Sequence, residues 1–301
     1  MTWHRRDGLW SLGSPVAAAA PLVHVLEARG AILEWPLDAP PDAPPHLSVT
    51  DAAEADWLWQ LVGEPAHVAL LTETDAEPAW NAALVVALRK VAHGLWLHTW
   101  WPTSPRDGVA PLERAAWAAE MARAVEEVAD ILDEEQLPDL AVVPTSTRAE
   151  FALAASGRGA GVDGTSIAEG RSPVAWQGLP HGVVDATEYP VAWVVDAAPE
   201  PELTVSVSAV GKPSALEGLA VLAALAPWTA EGALDAAGRA VLPLPITAAE
   251  AWAADWAQLR VIVGVPVDEP SEVRDAARGF AQQRRATVDA LSFEAEADDD
   301  F

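Results

Sequence analysis

The chain has 301 residues, 51% of them apolar, and a formal net charge of −27. That length suits one large domain or two ordinary ones, and the apolar content excludes a globally disordered chain. The charge disfavours nucleic acid and anionic membranes as partners and favours basic proteins. The absence of cysteine excludes disulfides, thiolate metal sites and thiol nucleophiles.

His4, Arg5 and Arg6 precede an apolar stretch, Ala17 to Leu26, but Asp7, Pro15, Pro21 and His24 interrupt it. No secretory leader is expected, no apolar run is long enough to span a bilayer, and the expected location is cytoplasmic. Val16 to Arg29 reads as a helix closed by Gly30, and Ala31 to Leu37 as a strand. Five prolines between Pro36 and Pro45 make a stiff connector. Thr50 or Asp51 suits the cap of a helix running to Val62 and stopped at Gly63. His67 to Thr72 reads as a second strand, Pro78 to His93 as a helix stopped by Gly94, and Leu95 to Trp101 as a third strand.

Trp117, Met121, Val125, Val128 and Leu132 then recur at helical spacing. They predict an amphipathic helix from Pro111 to Leu137. It feeds a buried strand over Asp139 to Val143. Alternation of strand and helix over residues 1–150 gives an α/β domain with a largely parallel sheet, or an α+β domain with antiparallel pairs. Thr147 to Ser156 reads as a short helix. The glycine-rich stretch 151–171 reads as a linker; Gly157 to Gly164 lacks the preceding strand and following helix of a phosphate loop.

Residues 172–267 form a predicted β-rich domain. Val174 to Trp176, Val183 to Ala186, Val191 to Asp196, Leu203 to Val210, Ala240 to Ile246 and Leu259 to Val265 are its expected strands. Leu216 to Leu225 and Ala248 to Trp256 are its expected helices. Residues 268–301 are a C-terminal helix capped by Ser271, with an acidic tail. The overall expectation is α/β or α+β: a layered helix–strand domain, a smaller β-rich domain and a final helix.

The chain carries no P-loop, no nucleophile elbow and no H-E-x-x-H motif. No cofactor is expected. In open parallel sheets, ligands sit beyond the carboxyl ends of strands. Glu73, Asp75 and Asp107 are therefore the candidate metal ligands, and Arg106 and Arg148 the candidate anion-binding residues. Trp57 and Trp59 cannot both face the core of one helix, so that helix is a candidate partner-binding surface. Arg274, Arg278 and Arg285 form a basic stripe on the last helix, a second candidate contact.

The leading expectation is a non-catalytic acidic interaction or assembly protein, an accessory subunit of a larger complex with a protein partner. Heavy Ala, Arg, Asp and Trp usage resembles that of a GC-rich bacterial coding sequence. The alternatives are a metal-assisted hydrolase or transferase acting on a small anionic substrate, and an acidic inhibitor of a basic partner. The sequence leaves the oligomeric state open.

Overall fold

The computed structural model describes residues 3–6, 9–132, 137, 166–196 and 199–295, with side chains of the last helix described to residue 283. Its first sheet is made of β1 (His4–Arg6), β2 (Leu9–Leu12), β3 (Val23–Ala28), β4 (Ala31–Pro36) and β5 (His46–Val49). The strand order is β1-β2-β5-β4-β3 and every pairing is antiparallel. The chain thus mixes helices with antiparallel sheets, and the parallel arrangement expected for the first 150 residues is not found among the described strands.

In β3, His24, Leu26 and Ala28 are buried, while Val25 and Glu27 between them are exposed. That period of two makes it a strand where a helix was predicted for Val16 to Arg29. The strand predicted at Ala31 to Leu37 is β4. Between β3 and β4, Gly30 has φ +68°, and an added Cβ there would meet the Asp51 carbonyl oxygen at 2.2 Å. Only glycine suits both demands.

Four helices follow: α1 (Leu58–Val62), α2 (Glu64–Thr72), α3 (Ala82–Trp100) and α4 (Arg114–Glu126). The predicted strand His67 to Thr72 is α2. Pro65 in its first turn suits a helix start, and a six-residue apolar run cannot distinguish strand from helix by period alone. Asn81 caps α3, accepting a hydrogen bond from the Leu84 amide.

α3 runs straight through Gly94, so the predicted stop there and the predicted strand Leu95 to Trp101 are both corrected. Gly94 marks a helix crossing. A Cβ would sit 2.4 Å from the Met121 sulfur, and the Gly94 carbonyl accepts the Trp117 indole N–H at 2.8 Å. α4 is shorter than predicted and begins three residues after Pro111. Trp117 and Met121 on it are buried, as are Val128 and Leu132 beyond its end. Leu132 then bridges Ala28 at the edge of β3. The strand predicted at Asp139 to Val143 and the helix predicted at Thr147 to Ser156 lie outside the described residues.

The second sheet system is a sandwich. Its strands are β6 (Ser166–Ser172), β7 (Val191–Asp196), β8 (Glu202–Val207), β9 (Ala220–Leu225), β10 (Trp228–Ala233), β11 (Arg239–Pro243) and β12 (Arg260–Val263). They form a four-stranded sheet, β11-β8-β7-β6, and a three-stranded sheet, β10-β9-β12, all antiparallel. Inward side chains of both, among them Trp193, Leu203, Val221 and Val261, make one core.

β9 replaces the helix predicted at Leu216 to Leu225. Its Ala-Val-Leu-Ala-Ala-Leu sequence is ambiguous, and pairing with β10 and β12 decides it. β6 overlaps the stretch predicted as linker, residues 151–171. Val174 to Trp176 is not a strand: the sequence Pro-Val-Ala-Trp enters a short 3-10 turn at 173–176 but leads into β7 at 190–193. α5 (Ala248–Ala253) has a complete Thr247–Glu250 capping box. α6 (Ser271–Ala295) is the final helix.

The chain divides into two compact units. The first holds Met1–Trp101, Leu112–Pro144 and Glu272–Phe301; the second holds Pro102–Pro111 and Thr145–Ser271. Six of the fifteen tryptophans act as core staples. Trp3, Trp35, Trp57, Trp96, Trp117 and Trp256 are each buried and each donate the indole N–H to a backbone carbonyl. Such a residue fills volume and satisfies an orphan acceptor at once.

Candidate functional site

The metal hypothesis rested on loops at the carboxyl ends of parallel strands. Two of those strands are α2 and the second half of α3, so the premise is gone. Glu73 closes α2 in a left-handed conformation, φ 54°, and its exposed carboxylate pairs with Arg5 at 3.3 Å. Asp75 is exposed just after it. Both belong to the first unit, whereas Arg106 and Asp107 belong to the second. Among the described residues, no three His, Asp or Glu side chains form a group that could hold a metal ion. Arg148 lies outside the described residues.

Asp107 instead joins a polar network that sequence reasoning missed. Ser104 is fully buried and donates its hydroxyl to the buried Asp185 carboxylate at 2.7 Å. The same carboxylate oxygen accepts the Thr187 amide at 2.9 Å. The Asp107 amide donates to the Ser104 hydroxyl oxygen at 3.1 Å, and the Thr187 hydroxyl donates to Asp107 at 3.4 Å. The Ala186 amide reaches the Thr103 carbonyl at 2.9 Å. With the Ser104 hydroxyl buried, this network is a clasp. It fastens residues 102–111 to the sandwich.

A second buried group lies in the first unit. The His93 Nδ1 and His24 Nε2 atoms are 2.9 Å apart, so one ring donates and the other accepts. Trp96 and Phe280 pack around both rings. His93 also borders a groove of about 310 Å³ between α3 and α4, floored by Gly94, Leu97, Trp117 and Met121. Lys90 and Glu127 stand at its rim, 3.7 Å apart. Nearby, α3 carries a buried Arg89 whose guanidinium donates to the Pro36, Ala39 and Pro40 carbonyls. Burial lowers its pKa, and Asp38 and Asp42 oppose that shift.

The predicted contact residues separate. Trp57 is buried and donates to the Arg29 carbonyl at 2.8 Å, so it belongs to the core. Trp59 is half exposed. Arg274 is buried, and Arg278 pairs with Asp275 on its own helix, so these two do not form an exposed basic stripe. The Arg285 side chain lies outside the described ones. Exposed apolar side chains missed in the sequence stand on α2: Val68 and Leu71. Trp252, on α5, and Val265 are their counterparts in the second unit.

The chain matches no family model, and no curated protein and no solved structure matches it.

Proposed function

We propose that the protein is a non-catalytic, acidic interaction protein, a cytoplasmic accessory subunit of a larger bacterial complex that meets a basic protein partner. The observation that carries this reading is the pairing of large exposed apolar side chains with a strongly acidic chain. Trp59, Leu71, Trp252 and Val265 are each at least half exposed on a molecule of net charge −27. Apolar side chains in water favour burial against another surface, and surrounding charge selects the sign of that surface. No helix among the described residues is long and apolar enough to cross a membrane. Anionic lipid and nucleic acid share the sign of the chain and are disfavoured as partners.

An acidic inhibitor is the special case in which the partner's basic surface is its own working site. Sedimentation velocity of the labelled full chain tests the reading, in host extract first separated by ion exchange. The basic pool is expected to shift the chain to a faster species and the acidic pool to leave it unchanged. No shift in the basic pool contradicts the proposal.

A further inference from the structure

We propose that the outward face of α2 docks a cationic amphipathic segment of the partner protein. This inference rests on the interaction reading above and names its surface. The face begins with burial. In α2, Ala66, His67, Ala69 and Leu70 are buried, which fills the inner side of the helix. Val68 and Leu71 point the other way, 46% and 57% exposed, and their spacing of three places them on one outer stripe. Glu64, four residues before Val68, lies on the same stripe and is exposed. Trp59 on α1 is 50% exposed.

Charge identifies the occupant. Residues 51–80 contain seven carboxylates, Asp51, Glu54, Asp56, Glu64, Glu73, Asp75 and Glu77, and no Lys or Arg. The Asp56 and Glu73 side chains are 82% and 65% exposed; His67 lies 3.8 Å from the first and Arg5 3.3 Å from the second. A second copy of the chain would bring the same carboxylates against these. Anionic bilayers and nucleic acid are repelled for the same reason. The complement is a segment with apolar side chains on one side and Lys or Arg beside them. A helix of that kind packs its apolar stripe on Val68 and Leu71 while its cations meet the acidic rim.

The test titrates the full chain with two labelled synthetic peptides of identical Leu/Lys composition, one amphipathic as a helix and one scrambled, read by fluorescence anisotropy. The amphipathic peptide is expected to bind at least about tenfold more tightly, a difference that Val68→Ser with Leu71→Ser removes. Val241→Ser, an equally exposed apolar position on β11, leaves it unchanged. Equal affinity for both peptides overturns the proposal, as does unchanged binding by the Val68→Ser, Leu71→Ser chain. Self-association or uptake onto anionic phospholipid vesicles that depends on Val68 and Leu71 also overturns it, by assigning the face to another occupant. If the double variant still shifts in the basic extract pool, the docking face is wrong and the interaction reading stands. If wild type fails there as well, both fall.

Discussion

Arg89 shows what one buried charge does in this molecule. It sits on α3 and donates to three carbonyls, one at the last residue of β4 and two in the proline-rich segment that follows. That segment has few amide hydrogens of its own, because proline has none. The Ala39 and Ala43 amides already reach the Pro36 and Pro40 carbonyls, so Arg89 adds second donors there and fixes the connector against the helix. Arg89→Met keeps much of the side-chain volume and removes every donor. It is expected to lower the unfolding free energy by about 2 kcal/mol, read from urea unfolding, because the hydrogen bonds from a charged donor are lost. An unchanged midpoint shows that water replaces the guanidinium. The same logic covers the indole staples: Trp117→Phe loses the bond to Gly94 and is expected to cost about 1 kcal/mol.

At the scale of elements, the 102–111 segment depends on Asp185. Asp185→Ala strands the Ser104 hydroxyl and the Thr187 amide. Faster hydrogen exchange at the Ser104 and Val109 amides, which pair with each other's carbonyls, is the expected signature. Uniformly faster exchange across the sandwich contradicts a local clasp. The capping box of α5 gives a pH-dependent counterpart. Bonds from the Thr247 amide and hydroxyl hold the Glu250 carboxyl below its ordinary pKa. A depressed carboxyl stabilises above its unfolded pKa, about 4.3, and loses that contribution as pH falls through the folded value. The stability gap between wild type and Glu250→Ala is therefore expected to narrow on acidification from neutral pH, in thermal melts across that range.

Elements were legible where a local signal was unique. Asp51 before the α1 region, Gly63 after it, Ser271 at the start of α6 and the alternation of Thr204 to Ser208 all led to the right local structure. They failed where two signals look alike. Gly94 resembles a helix stop, yet it admits Met121 at a helix crossing, a fact that depends on residues 27 positions away. His67 to Thr72 and Leu216 to Leu225 are apolar runs too short or too uniform to show a period. The polar groups were least legible. Ser104 and Asp185 are 81 residues apart, and His24 and His93 are 69 apart. No spacing rule joins such pairs; only the completed fold does.

At the scale of the whole molecule, the two units share one property: acidic surfaces interrupted by large exposed apolar side chains. Binding through such surfaces is expected to be strong at low salt and weak at high salt, with the apolar contacts setting residence and the charges setting approach. The most direct measurement is to isolate the tagged full chain from its own cells at about 0.1 M and again at about 1 M salt. Attraction between exposed charges then reaches roughly 10 Å and 3 Å respectively. Native mass spectrometry of each preparation gives the stoichiometry. The account predicts a basic protein bound in fixed ratio at the lower salt and lost at the higher. The chain recovered alone at both salts, or bound in fixed ratio to an acidic partner, contradicts it.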